Sequence, residues 1–297
     1  LALTTALYAQ EIVSGDGIYE RLGIDFETAE ITTETIAPGL HVMFGIGGNV
    51  AASIGEQGVL VVDDQFPAMV PMIEAAIKNL GGSDIDFVIN THWHFDHTDG
   101  NPLLADKGGW IVSHANSRQM MTEDRLVNLV SMQVEQPASN AAGLPVITHQ
   151  NGMQFHFNGE QIDLFHFGPA HTAGDSAVLF RGSNAVHMGD IYFSQSYPFV
   201  DAGNGGDLDG VIQFCESVLK EINEDTAVIP GHGKVATYSD LAEYIAMLTT
   251  IRDRIAAMIH QGSTLEDIIA AKPTAEWDEV RGDSTLLLDR AFFSMTR

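Results

Sequence analysis

The sequence predicts a single α/β domain in which strands and helices alternate along the chain. Short apolar runs of strand length alternate with segments whose apolar residues recur at helical spacing. The order is strands, helix, strands, helix, then strands and helices again, and no repeat or long linker divides the chain. Periodicity by itself supports one α/β domain. Two sheets that each carry helices on one face would form a four-layer αββα sandwich.

The first half of the chain begins with a hairpin or meander predicted at 40–65, where apolar runs flank glycine-rich turns. The last of these runs, 58–64, predicts a buried strand that ends in two aspartates. A helix is predicted at 67–82 because this segment opens on a proline, carries apolar residues at helical spacing and stops at glycine. A short buried strand at 85–90 leads directly into the polar sequence THWHFDHTDGN, residues 91–101.

The second half is predicted to contain further helices and strands and a C-terminal tail. A strand at 110–114 precedes a helix at 115–133 and a polar stretch that runs to about 150. The remaining strands are predicted at 154–157, 162–168, 176–181, 185–190 and 226–233, and the remaining helices at about 211–220, 239–261 and 263–271. The segment 236–297 therefore holds the C-terminal helices and the tail.

Charge limits the partners of this protein. The chain has 14 Lys and Arg against 40 Asp and Glu, a formal net charge of −26. A field of this sign repels phosphate backbones and anionic lipid surfaces, which argues against a nucleic-acid or membrane-surface role. The single cysteine, Cys215, excludes an intramolecular disulfide, and its place in a predicted helix indicates a small buried hydrophobe. We expect a small-molecule substrate, and the oligomeric state stays open.

The N-terminal residues indicate export. The opening LALTTALYAQE is apolar up to Ala9 and polar after it, as at the end of a signal-peptide hydrophobic region. We therefore expect residues 1–10 to be a signal-peptide remnant, residues 11–297 to form the folded domain, and the protein to be periplasmic or secreted. No later stretch has the roughly 20 continuous apolar residues of a transmembrane helix.

The densest polar motif is the HWHFDH of residues 92–97. His92 and His94 are two positions apart, so at an extended strand end their side chains share one face. Asp96 continues that face, and His97 lies on the turn that follows. Two imidazoles can bind one cation while Asp96 and His97 reach a second. Because a catalytic zinc site takes about three protein ligands and a water, other segments must supply the missing ligands.

Three other segments carry a metal-ligand side chain at the end of a predicted strand or directly after it. They are GPAHTAGDS with His171, HMGDIYF with Asp190 and IPGHG with His232. Loops at strand ends are where rigid scaffolds present their chemistry. A lone histidine of this kind is more often structural than metal-binding, so the metal interpretation depends on the four segments together.

Taken in order, THWHFDH, AHTAGDS, MGD and IPGHG resemble the motifs of the metallo-β-lactamase superfamily of metal-dependent hydrolases over about residues 40–235. The resemblance implies a four-layer αββα sandwich of two mixed β-sheets flanked by helices, with the site at one edge, between the sheets. It assigns His92, His94 and His171 to a first zinc, Asp96, His97 and His232 to a second, and Asp190 to a bridge between them. Asp63, which ends a strand, resembles the family's aspartate that supports the metal loop. The expected cofactors are two Zn²⁺ per chain, although Fe or Mn also suits His and Asp ligands.

The departures from the family pattern bear on the substrate. Class B β-lactamases mostly have Cys or Ser near the position of Asp190, which instead resembles the glyoxalase-II and lactonase branches. Ala170 stands where the family usually has glycine. Few Lys or Arg lie near the motifs to bind glutathione, so a glyoxalase-II-like thioesterase ranks below an enzyme that opens cyclic amides or esters. β-Lactam hydrolysis stays open as a main or side activity, and a non-catalytic zinc-binding accessory protein is the remaining alternative.

By this resemblance the protein is expected to be a β-lactamase-like metallo-hydrolase. A hydroxide held by two zinc ions would attack a carbonyl carbon, because zinc lowers the pKa of bound water to about 7. Asp96 is the residue expected to orient that hydroxide and to shuttle a proton. The substrate pocket is expected to include Tyr192, Tyr197 and Phe199, from the segment that follows Asp190.

Overall fold

The computed structural model describes residues 11–15 and 17–297, so the predicted signal-peptide remnant at 1–10 lies outside the described residues. The described strands are, in chain order, β1 (Ile12–Val13), β2 (Thr32–Ala37), β3 (Leu40–Phe44), β4 (Val50–Gly55), β5 (Gly58–Val62), β6 (Ile85–Ile89), β7 (Trp110–His114), β8 (Arg125–Asn128), β9 (Gln133–Gln136), β10 (Ile147–His149), β11 (Gly152–Phe157), β12 (Glu160–Phe165), β13 (Ala177–Phe180), β14 (Ala185–His187), β15 (Ala227–Ile229) and β16 (Ala236–Thr237). The described helices are α1 (Gly17–Leu22), α2 (Val70–Asn79), α3 (Phe95–Thr98), α4 (Asn101–Asp106), α5 (Ala115–Met120), α6 (Leu208–Glu221), α7 (Tyr238–His260), α8 (Leu265–Ala271), α9 (Asp278–Arg281) and α10 (Thr285–Thr296), with short 3-10 helices at Gly189–Ile191 and Ala202–Asn204.

The strands form two large mixed sheets and one small one. The first large sheet has the order β10-β7-β6-β5-β4-β3-β2, and the second has the order β11-β12-β13-β14-β15-β16. Both contain parallel and antiparallel pairs: β5, β6 and β7 run parallel in the first sheet, and β14 runs parallel to β15 in the second. In the small sheet, β9 lies between β1 and β8.

Apolar clusters separate four layers of structure. Side chains such as Leu60 and Val178 fill the space between the two large sheets. The outer face of the first sheet packs on α2 through residues such as Ile73, and α6 and α7 pack on the outer face of the second. Strand β5 is buried from Val59 to Val62 because both of its faces are covered. The predicted four-layer αββα sandwich is confirmed.

The predicted helix at 115–133 is wrong beyond its first turns. α5 ends at Met120, and β8 and β9 follow as an antiparallel pair. Val127 and Val134 face an apolar cluster that includes Trp93, whereas Leu126 is exposed. This segment therefore forms strands with alternating buried and exposed residues rather than a helix. The pairing of β8 with β9 and the burial against Trp93 are tertiary contacts, and local sequence propensity does not report them.

The ends of the described chain contain more regular structure than the sequence predicts. β2 adds an edge strand to the first sheet. Leu287, Leu288 and Ala291 of α10 are buried in the same cluster as the apolar faces of α6 and α7, where only a tail was expected. Within residues 11–15 and 17–297, no helix is both long and apolar enough to cross a membrane.

Candidate metal centre

Most of the candidate ligand side chains lie in loops that follow the carboxyl ends of strands. β6 ends at Ile89, and the HWHFDH segment follows it after two residues. β14 ends at His187 and leads to Asp190 in a 3-10 helix, while β15 ends at Ile229 and leads to His232. Because β14 and β15 are parallel, the loops that follow them meet at one edge of the second sheet.

The structure gathers these side chains into two groups. The first group is His92, His94, His171 and Asp190, and the second is Asp96, His97 and His232, with the donor atoms of each group within 4.8 Å of one another. The two oxygens of Asp190 face different groups: Oδ1 lies 3.0 Å from His97 Nε2, and Oδ2 lies 3.7 Å from His171 Nε2. Asp190 therefore stands where it can reach a cation in either group.

His94 and His171, in the first group, each donate a hydrogen bond from the ring nitrogen that points away from the group. His94 donates its Nε2–H to Asp201 Oδ2 at 3.0 Å. His171 donates its Nδ1–H to the carbonyl of Phe199 at 2.7 Å. Carboxylate and carbonyl acceptors of this kind fix the tautomer of a metal-binding histidine. Nδ1 of His94 and Nε2 of His171 therefore present lone pairs to the interior of the group.

Asp63 organises the HWHFDH segment from a fully buried position. Its Oδ1 accepts the Thr91 backbone N–H at 2.7 Å, and its Oδ2 accepts the Thr91 hydroxyl at 2.8 Å and His97 Nδ1–H at 2.7 Å. Because the Thr91 hydroxyl donates its one hydrogen to Asp63, it accepts the Nδ1–H of His92 at 3.0 Å. Nε2 of His92 and Nε2 of His97 are thereby the nitrogens that face the two groups, and each offers a lone pair when it carries no proton.

The inward-facing nitrogens fit a metal ion. His171 Nε2 lies 2.9 Å from His94 Nδ1, and His97 Nε2 lies 3.3 Å from His232 Nε2. His92 Nε2 is buried and has no hydrogen-bond partner among the described residues. Paired lone pairs of this kind need a proton or a cation between them, because a buried polar atom without a partner is costly. Imidazole and carboxylate donors suit Zn²⁺, and also Fe or Mn.

The carboxylates and imidazoles shift each other's protonation. Burial would lower the pKa of His232, but Asp190 and Asp96 raise it to about 10. Burial would raise the pKa of Asp190, but His232 and His97 hold it well below its ordinary value. By contrast, burial lowers the pKa of His171 to about 4, so this imidazole is neutral, as a metal ligand must be. Metal binding at the second group therefore has to displace protons.

Two glycines allow loops to approach the centre. A Cβ atom added to Gly231 would overlap Asp190 Oδ1. A Cβ atom added to Gly48 would overlap the ring of His97. Any larger residue at either position would have to move a side chain of the centre.

A cavity of about 310 Å³ opens beside the two groups, and Asp96, Asp190, His94 and His232 form part of its wall. Of the three aromatic residues expected in the pocket, Phe199 lines this cavity. Its ring stacks on that of His94, with the ring centroids 6.0 Å apart.

The two tyrosines expected in the pocket lie elsewhere. Tyr192 packs edge-on against Tyr244 within the cluster under the helices of the second sheet, with ring centroids 4.9 Å apart. Tyr197 donates its hydroxyl to Asp278 at 2.9 Å, near the start of α9. Neither tyrosine is among the described residues that line the cavity.

Sequence reasoning missed contributors to the centre that lie outside the four motifs. Asp201 supports His94, and Asn49 donates to the Pro230 carbonyl at 2.9 Å, in the loop that leads to His232. The only local signal for Asp201 is that it opens the glycine-rich sequence DAGNGGD, and an aspartate in that context is more often a turn residue.

A family model and several known proteins are similar to this chain in sequence. The family model described as the metallo-beta-lactamase superfamily matches residues 52–245. The chain is 25% identical over 198 residues to a probable metallo-hydrolase of Methanocaldococcus jannaschii, which covers 65% of this chain and 90% of that protein. It is 27% identical over 239 residues to a hydroxyacylglutathione hydrolase of Rhodospirillum rubrum, which covers 76% of this chain and 78% of that protein. It is 28% identical over 187 residues to the hydroxyacylglutathione hydrolase of Brucella anthropi, and this match covers 59% of this chain and 60% of that protein.

Solved structures share the fold. A metallo-beta-lactamase from Pontibacter korlensis superposes with a TM-score of 0.62 at 16% identity, over 74% of this chain and 99% of that one. The DIM-1 metallo-beta-lactamase superposes with a TM-score of 0.58 at 19% identity, over 74% of this chain and 98% of that one. Similarity at these identities speaks to the fold, whereas activity depends on the site.

Proposed function

The chain belongs to the metallo-beta-lactamase superfamily of metallo-hydrolases, and on that premise we propose that it uses two divalent cations to open a cyclic amide or ester. The observation that carries the proposal is the division of the donors into two groups, with the oxygens of Asp190 facing both. Catalytic sites with two metals place them close enough to act on one substrate.

The residues proposed to hold the cations are His92, His94 and His171 for the first, Asp96, His97 and His232 for the second, and Asp190 for both. Such cations supply a water of lowered pKa and polarise a carbonyl oxygen. The chain's own contribution is to orient the imidazoles. Asp63 and Asp201 accept the outward N–H of His97 and His94, which keeps the inward nitrogens available.

Asp96 is proposed to accept the proton that the attacking water loses. Its side chain is 20% exposed and lines the cavity, whereas that of Asp190 is 6% exposed. Burial would raise its pKa, but His97 and His232 lower the pKa of Asp96 below the ordinary value, so the carboxylate is ionised at neutral pH. We expect Asp96→Asn to lower kcat on the order of 100-fold or more. Full turnover by a variant that keeps its metals would contradict this role.

Metal analysis of the purified protein, paired with a panel of β-lactams, lactones, thioesters and phosphoesters, tests the proposed function. We expect about two metal ions per chain and hydrolysis of a lactone or a β-lactam. A chelator should abolish the activity, and added zinc should restore it. Less than one metal ion per chain together with no turnover would refute the proposal.

Thioester hydrolysis is the second candidate. The relatives from Brucella anthropi and Rhodospirillum rubrum are both named hydroxyacylglutathione hydrolase, and the second covers 76% of this chain. The same panel separates the candidates, because a glutathione thioester and an uncharged thioester differ only in the charged tripeptide. Preference for the glutathione thioester over the lactones would favour the second candidate.

A further inference from the structure

The cavity beside the metal centre is apolar except where metal-ligand side chains form its floor. Nine of the thirteen residues that line it are aliphatic or aromatic, and the other four are His94, Asp96, Asp190 and His232. Its volume of about 310 Å³ lies at the small end of the range for ligand pockets, ~300–1,000 Å³. A substrate group that enters it exchanges water for hydrocarbon side chains.

Away from the metal centre, the wall of the cavity offers a negative charge no partner. Among the described residues that line it, none is Lys or Arg. Lys234 lines a neighbouring cleft that shares Ile46 and His232 with this cavity, and Glu34 lines that cleft as well. The net charge of −26 adds a field that repels anions. A carboxylate placed among these side chains would lose its hydration without gaining a compensating bond.

We propose that the non-reacting part of the substrate is an uncharged alkyl or aryl group, so that the preferred substrates are neutral esters or lactones with a hydrophobic substituent. This inference rests on the proposed hydrolase function and adds the substrate class. In the reaction the oxygen of water bonds to the carbonyl carbon, and the bond from that carbon to the ester or ring oxygen breaks. The departing oxygen takes up the proton that the water loses.

The segment around β8 offers a matched pair of leucines for the test. Leu129, directly after β8, is half-buried and lines the cavity. Leu126, within β8, is 43% exposed and is not among the described lining residues. A lysine at either position adds the same charge to the protein, but only Leu129→Lys places it against the substrate group.

A series of p-nitrophenyl esters from acetate to octanoate measures the preference of the zinc-loaded protein. We expect kcat/KM to rise about three- to fourfold for each added methylene until the cavity is full, since each buried methylene contributes to binding. Chains of equal length that end in a carboxylate should react at least about tenfold more slowly. A flat series, or faster reaction of the carboxylate-ended chains, would overturn the proposal.

Leu129→Lys should remove most of the gain with chain length and raise the relative rate of the carboxylate-ended esters. Leu126→Lys should behave like the unmodified protein. If the two variants respond alike, the cavity next to Leu129 does not hold the substituent, and the proposal fails.

A binding measurement separates failure of this inference from failure of the proposed function. Nile red, a neutral apolar dye, should bind the unmodified protein and Leu126→Lys at least about tenfold more tightly than Leu129→Lys. Turnover that is independent of chain length contradicts the substrate class alone. Absence of all ester and lactone turnover, with dye binding that depends on Leu129, contradicts the proposed function and supports the apolar preference of the cavity. Dye binding that is equal in all three proteins contradicts that preference.

Discussion

Asp63→Asn should weaken the second cation more than the first, because Asp63 bonds His97 directly and reaches His92 only through Thr91. Asp63 accepts three hydrogen bonds, from the Thr91 backbone N–H, the Thr91 hydroxyl and His97 Nδ1–H. Asparagine has nearly the same shape, but one of its two terminal groups is an NH₂ donor. If the NH₂ group faces His97, it meets the Nδ1–H of the imidazole, and both groups are donors. If it faces the Thr91 backbone, it meets the Thr91 N–H, which is also a donor.

Either orientation costs a buried hydrogen bond. When the NH₂ group faces His97, the imidazole can restore the bond only by moving its hydrogen to Nε2, the nitrogen that faces the second group. A buried donor left without an acceptor costs about 1–3 kcal/mol. If that cost falls on metal binding, the affinity for the second cation drops by roughly 5- to 150-fold, which agrees with the ~10–100-fold typical of lost support for a ligating histidine.

Asp64→Asn is the matched control, one residue away. Asp64 is also fully buried, and its Oδ1 accepts the Gly100 N–H at 3.0 Å. Burial, with the charge of Asp63, raises the pKa of Asp64 well above the ordinary value, which favours the protonated carboxyl that an uncharged amide resembles. Its Oδ2 has no hydrogen-bond partner among the described residues.

Zinc titration of the three proteins against a chromophoric chelator is the assay. The unmodified protein and Asp64→Asn should give the same titration curve for two ions, and Asp63→Asn should show weakened binding at the second group. Tight binding of both ions by Asp63→Asn, or equal weakening in Asp64→Asn, would refute the reasoning.

Three further predictions concern the centre and the protonation of the fold. Asp201→Asn should weaken the first cation by roughly 10–100-fold, because His94 loses its carboxylate partner, and the same zinc titration measures it. Gly231→Ala should displace the carboxylate between the two groups and reduce bound metal, whereas Gly203→Ala, whose Cβ would meet its nearest atom at 3.6 Å, should leave the metal content unchanged. Burial, with neighbouring imidazoles, lowers the pKa of His149 to about 4. Below about pH 6.5 His149 binds a proton in the unfolded chain but not in the folded one. As the pH is lowered from 6.5 to 4, this difference should reduce the free energy of unfolding by about 3 kcal/mol. Denaturant unfolding measures this, on protein treated with a chelator. The free energy of unfolding of His149→Phe should fall less with decreasing pH than that of the unmodified protein, and an equal pH dependence in the two proteins would contradict the prediction.

Much of the fold could be predicted because its signals are local. The strands β5, β6 and β7 are apolar runs bounded by turn residues, and the structure has them where the sequence predicts them. The segment 115–133 could not be predicted in the same way. Its apolar residues suit a helix as well as a strand, and only the pairing of β8 with β9 and burial against Trp93 decide for the strand.

The sequence by itself determined the donor chemistry of this protein. HWHFDH, AHTAGDS, MGD and IPGHG are contiguous motifs, each with its ligand-type side chain in a loop that follows a strand, so the order of strands and loops is sufficient to propose a centre with two cations. Their meeting within 4.8 Å in two groups was decided by the tertiary structure, because parallel strands bring loops far apart in the chain to one edge.

Only the tertiary structure decided what surrounds those donors. Asp201 has no motif around it and acquires its role through one contact with His94, 107 residues away. The cavity wall combines Leu129 with Phe199 and other ordinary apolar side chains from distant segments. Sequence patterns record which residues are apolar, but which of them face a ligand depends on packing between layers, and packing is a property of the whole fold.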